Sequence, residues 1–149
     1  MSLRWLIASL HLLALGIGLG AIGARARALS GPLDAARLGN VFLADNLWAL
    51  AAVLWIVTGA YRAFGGLEKG TAYYLASNVF WAKMAMLGLI VLLEIRPIVT
   101  LMRWRMARAR GATLDLSSAS VLARISVVQA GLVVGMVFAA TAMARGLSL

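Results

Sequence analysis

Apolar positions dominate four long runs of the chain, and three short polar stretches separate them. The runs cover residues 5–23, 41–64, 73–102 and 118–144. A helix that crosses a hydrocarbon core of about 30 Å needs roughly 20 apolar residues, which these runs supply. Because the connections are short, consecutive helices should be antiparallel neighbours. The pattern predicts an all-α protein, an integral membrane up-down four-helix bundle forming a single domain over residues 1–149.

Composition supports the membrane class. The 149 residues are 63% hydrophobic with a mean hydropathy of +0.93, whereas soluble domains are about 45–50% apolar. The formal charge of +9 would suit a nucleic-acid partner, but the arginines cluster at the ends of the apolar runs, not among stacking aromatic residues. We therefore expect the bilayer, and not nucleic acid, as the partner of these charges. The absence of cysteine excludes disulfides and thiolate metal sites.

The first apolar run also has some features of a signal peptide. Arg4 could form a basic start, and Ala24-Arg25-Ala26 a cleavage site of small residues. The apolar stretch is longer than the usual 7 to 15 residues, however, and basic residues crowd the candidate site. We expect a retained helix.

The charges of the connections predict an orientation. One side of the membrane would carry Asp34, Asp115 and seven arginines, namely Arg25, Arg27, Arg37, Arg103, Arg105, Arg108 and Arg110. The opposite side would carry Arg4, Arg62, Lys69 and Arg145. Because cytoplasmic loops are enriched in Lys and Arg, the first and third connections should be cytoplasmic and both termini periplasmic.

Two polar residues inside the apolar runs are the first candidates for a functional site. A lysine at a helix centre costs about 2.5 to 3.5 kcal/mol on insertion scales, so Lys83 should have a partner or a task. His11 is the single histidine of the chain. Counted from the periplasmic helix ends, both fall in the outer half of the membrane, where they would be neighbours.

A second polar cluster is predicted in the inner half. Asp45, Glu94 and Arg124 fall at similar depth, and an ion pair of Asp45 or Glu94 with Arg124 is the preferred arrangement. Lys83 and Glu94 share one helical stripe but lie roughly 16 Å apart along the helix, too far to pair. Arg96 lies off that stripe and should extend to the cytoplasmic headgroups.

The first helix presents two faces with different predicted roles. Gly16, Gly20 and Gly23 form a small-residue stripe suited to helix packing, as do Gly131 and Gly135 of the fourth helix. His11 lies on another stripe with Ala14, Leu15 and Gly18.

Three roles remain open for His11. It is a buried imidazole held by a hydrogen bond, a proton relay, or an axial ligand of haem iron with Ala14 and Gly18 leaving room for the macrocycle. Lys83 would correspondingly be neutralised by a neighbour, hold an anion such as a tetrapyrrole propionate, or act as a relay.

Several segments resemble a known group of sequences. Residues 66–75 (GLEKGTAYYL), 78–83 (NVFWAK), 92–97 (LLEIRP) and 101–105 (LMRWR) resemble an uncharacterised bacterial family of four-span predicted membrane proteins, defined as a domain of unknown function. The resemblance covers nearly the whole chain. It implies a bacterial inner-membrane location and no established activity.

A more distant resemblance concerns His11-Leu12-Leu13-Ala14 and Trp81-Ala82-Lys83. These segments are similar to the His and Lys placement of HemJ-type protoporphyrinogen oxidases and CopD-type haem-associated membrane proteins. The resemblance implies that His11 matches a haem-ligand position and Lys83 the third-helix lysine. Most of the remaining sequence departs from the HemJ pattern.

Two functions follow as hypotheses. The first is a non-catalytic accessory or structural subunit that packs against a larger membrane complex, or against further copies of itself, through its small-residue faces. The alternative is a membrane redox protein that binds haem b or another tetrapyrrole, in which His11 ligates iron, Lys83 holds a propionate and Gly18 makes space.

Overall fold

The computed structural model describes residues 2–66 and 69–146, and the described part is helical. The helices are α1 (Leu3–Leu29), α2 (Ala35–Phe64), the short α3 (Thr71–Leu75), α4 (Asn78–Ala109) and α5 (Ala119–Ala144). All but α3 are long and apolar enough to cross a membrane. The prediction of an all-α membrane bundle with four spans is confirmed.

Several helix boundaries differ from those predicted, and α4 continues to Ala109, beyond the predicted end at residue 102. α1 continues to Leu29 and α2 begins at Ala35, so the first connection is much shorter than the predicted polar stretch. Asp34 starts α2 because its carboxylate accepts a hydrogen bond from the backbone N–H of Arg37. The predicted third span divides into α3 and α4, since Ser77 caps a new helix by accepting from the N–H of Phe80.

The helices surround the bundle axis in the order α2, α1, α5, α4. α1 packs against both α2 and α5, and α5 also packs against α4, whereas α2 and α4 make hardly any close backbone contact. A seam therefore runs between α2 and α4. We call the end of the bundle that holds Leu3 and Ala144 the terminal side, and the end that holds connections 30–34 and 110–118 the loop side.

The apolar core fills the middle and the loop side of the bundle. One cluster of buried residues lies at mid-depth and includes Ile22, Trp48 and Val133. A second includes Leu101, Trp104 and Leu122, near the loop side. Many large apolar side chains, such as Leu12, Leu92 and Phe138, are exposed, which suits a surface that faces lipid tails instead of water.

Candidate functional site

Arg25 of α1 is the centre of a polar network on the loop side of the bundle. Its side chain is completely buried. Nη1 contacts Asp45 Oδ1 of α2 at 2.9 Å and Glu94 Oε1 of α4 at 2.7 Å. Nη2 donates to Glu94 Oε2, and to Gln129 Oε1 of α5, each at 2.9 Å. Arg25 thus joins all four spanning helices.

Every donor of Arg25 is satisfied. A guanidinium has five N–H groups, and the fifth, on Nε, donates to Ser126 Oγ at 3.0 Å. Gln129 completes the network by donating to Glu94 Oε2 at 2.7 Å and to the carbonyl of Ile90 at 3.1 Å. Full pairing offsets the large desolvation cost of a buried charge.

Arg105 of α4 extends this network toward the loop side. It donates to Asp45 Oδ2 and to Asn46 Oδ1, each at 2.9 Å. Two carboxylates, Asp45 and Glu94, therefore balance two guanidiniums. We call this group the arginine network, consisting of Arg25, Asp45, Asn46, Glu94, Arg105, Ser126 and Gln129.

The predicted inner cluster is partly different from the arginine network. The structure brings Asp45 and Glu94 together as expected, but Arg124 is exposed on α5 and Arg25 takes the central position. The prediction that Arg25 is a loop charge is wrong, because α1 continues past it and buries its side chain. Arg96 is exposed, in keeping with a side chain that extends to headgroups.

A signal for Arg25 was present in the sequence. The stripe of His11 and Gly18, continued at steps of three and four residues, reaches Ile22, Arg25 and Leu29, all of which are buried. Ending the first span at its first arginine interrupted that stripe. The polar residues Ser126 and Gln129 inside the fourth apolar run were a second signal, because they also needed partners in the interior.

His11 occupies a separate site on the terminal side. Its Nδ1 lies 2.9 Å from Thr58 Oγ1 of α2, and its ring stacks on Trp55 with centroids 5.8 Å apart. Gly59 completes the site, because a Cβ at that position would lie 3.1 Å from His11 Cε1. Thr58, Trp55 and Gly59 were not singled out from the sequence, since nothing in a single span shows which turn faces another helix.

The hydrogen bonds of Thr58 determine which nitrogen of His11 carries the proton. The Thr58 hydroxyl donates to backbone carbonyls of its own helix, at 2.6 Å to Leu54 and 3.3 Å to Trp55. A hydroxyl has one proton, so His11 Nδ1 must be the donor in the contact with Thr58. In a neutral imidazole the other nitrogen, Nε2, then keeps its lone pair.

A large cavity on the terminal side lies beside His11. Its volume is about 590 Å³, within the range of about 300–1,000 Å³ typical of small-molecule sites. All four spanning helices and α3 contribute to its walls, which are mostly apolar. We call it the terminal cavity; its basic lining residues are His11, Arg62, Lys69 and Lys83.

Lys83 lines the same cavity as His11. It lies only five residues after Asn78, the start of α4, so it is nearer the membrane surface than predicted. Within residues 2–66 and 69–146, Lys83 forms no hydrogen bond or ion pair, and no carboxylate lines the cavity. Its ammonium group is therefore suited to an acidic group of a ligand.

The space near His11 does not come from Gly18 or Ala14. A Cβ at Gly18 would lie 3.4 Å from both Ala51 and Trp48, so α2 already fills that position. Both residues line a second, much smaller pocket instead of the terminal cavity. The expectation that Gly18 makes room for a macrocycle is wrong, because α2 packs closely against Gly18 of α1, on the loop side of His11.

Trp55 contributes an unpaired donor at this site. The residue lines the terminal cavity and is 7% exposed. Its Nε1 is buried and has no hydrogen-bond partner among the described residues. Buried donors of this kind are rare in proteins, since leaving one unpaired costs about 1–3 kcal/mol.

Comparison with known proteins addresses the family. Residues 3–148 match the family model described as "Predicted membrane protein (DUF2214)". The chain belongs to this family. No curated protein and no solved structure matches the chain, and the distant likeness to HemJ-type and CopD-type proteins is not shown. Membership confirms the membrane class, while the family description assigns no activity.

Proposed function

We propose that this chain binds haem b, or a closely related tetrapyrrole with acidic side groups, in the terminal cavity. The observation that carries the proposal is His11, which lines a 590 Å³ cavity and whose Nδ1 donates to Thr58, so that Nε2 is left as the nitrogen with a lone pair. Iron-ligating imidazoles have this arrangement, with one nitrogen bonded to a protein oxygen and the other directed to the metal.

The composition of the site supports a tetrapyrrole over a metal held by protein alone. No group of three His, Cys, Asp or Glu residues suited to a metal ion occurs in the described ranges. A tetrapyrrole supplies four nitrogens itself, so one histidine is sufficient. Met84 and Met136 also line the cavity, and their thioether sulfurs would be available as further iron ligands.

Different residues of the chain would contribute different interactions to binding. His11 would bind the iron through its free nitrogen, Lys83 would pair with an acidic side group, and the apolar walls would exclude water. Bound haem would supply a redox-active iron to the membrane. Trp55 stacks on the imidazole and, with Gly59, fixes its orientation.

Titration with haem b tests this proposal through Thr58. We expect saturable binding of one haem per chain, and Thr58→Val should weaken it about 10- to 100-fold, because the acceptor that orients His11 is lost while the side-chain shape is kept. Thr113→Val is the matched control, since Thr113 is exposed in the connection between α4 and α5 and does not line the terminal cavity. Equal affinity of all three proteins would contradict the role of Thr58.

A second candidate function is an accessory subunit of a membrane complex. It is supported by the stripe of Gly16, Gly20 and Gly23, where an added Cβ would meet nothing within 4 Å. The stripe is therefore exposed on the outside of the bundle, as a surface for another helix would be. Gly135 belongs to no such surface, because a Cβ there would lie 3.1 Å from Met86 Sδ.

Mild-detergent purification tests this second candidate. Gly16→Leu should disrupt co-purification of a partner helix or a second copy, since leucine prevents close backbone approach, and should leave folding unchanged. Leu10→Ala is the control, because Leu10 is also exposed on α1 but lies about 120° around the helix from Gly16. Recovery of the unsubstituted protein as a lone monomer after cross-linking would count against the accessory role.

We further propose a bacterial inner-membrane location with both termini periplasmic. Arg25 no longer counts as a loop charge, yet the loop side still carries six arginines of the two connections and adjoining helix ends, Arg27, Arg37, Arg103, Arg105, Arg108 and Arg110. Since the chain has no cysteine, Ser2→Cys in intact spheroplasts should react with an impermeant maleimide, and Gly111→Cys should not. The reverse pattern would invert the proposed orientation.

A further inference from the structure

The seam between α2 and α4 is bridged at two depths. On the loop side, Arg105 of α4 crosses it to Asp45 and Asn46 of α2. At the terminal end, the rings of Phe64 and Phe80 make an edge contact with centroids 6.3 Å apart. The two helices do not pack closely along their backbones, so the stretch between these bridges is the place where the wall of the bundle is thinnest.

The terminal cavity reaches this thin stretch. Ile56 and Ala60 of α2 and Met84 and Leu87 of α4 line the cavity from the two sides of the seam. Ile56 is also 41% exposed on the bundle surface. A residue that lines the cavity and is also exposed shows that the wall at this depth is a single side chain thick.

α3 lies beside the membrane-surface end of the cavity. Tyr73 and Tyr74 of α3, together with Lys69, line the cavity at its membrane-surface end. The Tyr73 hydroxyl donates to the carbonyl of Met143 in α5 at 3.1 Å, and Lys69 Nζ lies 4.5 Å from the centre of the Tyr73 ring. These contacts attach α3 to the opposite wall of the cavity.

We propose that the terminal cavity is entered sideways from the lipid, through a window between α2 and α4 bounded by Phe64 and Phe80 at one end and Arg105 at the other. Its ligand is consequently an amphiphile dissolved in the membrane leaflet of the terminal side, with an acidic end that pairs with Lys83 and an apolar body. This inference rests on the proposed function for the identity of the ligand, but the window itself does not depend on haem.

Fluorescence quenching tests the window without any ligand. In the naturally cysteine-free chain, a bimane label at Leu87→Cys should be quenched by phospholipids brominated in their acyl chains about as strongly as a label at the lipid-facing Leu92→Cys. A label at the buried Val133→Cys is the unquenched control. Quenching at Leu87→Cys by iodide in water, but not by brominated lipid, would overturn the lateral window.

Loading experiments then test the route. A bismaleimide that joins Ile56→Cys to Leu87→Cys across the seam should slow uptake of haem b from vesicles several-fold relative to the same variant before cross-linking. Joining Tyr73→Cys to Met143→Cys should leave the uptake rate of that variant unchanged. The opposite result would overturn lateral entry. If lipid quenches Leu87→Cys while no form of the protein binds haem, the window stands and the proposed function fails.

Discussion

Replacing Arg25 with methionine is expected to lower the free energy of unfolding by about 3–5 kcal/mol, the usual cost of breaking a buried ion pair from one side. The substitution leaves Gln129 Oε1 without a donor, reduces the donors of Glu94 to Gln129 Nε2, and removes the link of α1 to three other helices. Methionine retains much of the volume and helix propensity of arginine, so the loss reports on charge and hydrogen bonding.

Unfolding in detergent micelles with increasing dodecyl sulfate measures this effect. Arg27→Met and Arg124→Met are matched controls, because both arginines are exposed and neither should change stability by more than about 0.5 kcal/mol. The stability of Arg25→Lys should lie between that of Arg25→Met and that of the controls, since an ammonium group has three donors for five acceptors. An Arg25→Met protein as stable as the controls would show that the arginine network does not hold the bundle together.

Replacing His11 with alanine is expected to have the largest effect on ligand binding. The substitution removes the nitrogen that would bind the iron. Replacing a residue that only supports a metal ligand weakens metal binding by up to about 100-fold, so we expect loss of the ligand itself to lower the affinity for haem b by about 100-fold or more. The Soret band of any remaining haem should also shift. Unchanged affinity and an unchanged band would exclude His11 as the ligand.

Lys83→Met tests the contact with the acidic groups of the ligand independently of iron binding. Loss of a charge-assisted contact of about 1.5–3 kcal/mol corresponds to roughly 10- to 150-fold weaker binding of haem b. The same variant should bind haem dimethyl ester as well as the unsubstituted protein does, because the ester has no carboxylates. Arg145→Met, at an exposed cation on the same side, is the control and should bind both forms normally.

The sequence was sufficient for the architecture because the constraint is simple. A bilayer requires long apolar helices whose backbone bonds are satisfied internally, and the four apolar runs show them directly. The ends of the helices were harder to predict from the sequence. Caps such as Asp34 and Ser77 are single polar residues, and a charged residue near a helix end looks the same whether it extends to headgroups or turns inward.

The candidate site was predictable only in part for the same reason. Periodicity put His11 and Lys83 toward the interior of the terminal half, where both line one cavity. It could not identify Thr58 or Trp55, since their importance depends on how α2 is rotated against α1. It also favoured Arg124 over Arg25, because the partner of a buried carboxylate is determined by the packing of four helices and not by depth alone.

The absorption spectrum of the protein, purified in mild detergent from haem-replete cells, tests the central claim most directly. The account predicts a protein-bound Soret band with about one haem per chain, and its loss in His11→Ala while the variant remains folded. A colourless, iron-free protein that also leaves the spectrum of added haem b unchanged would contradict the assignment of the terminal cavity as a haem site.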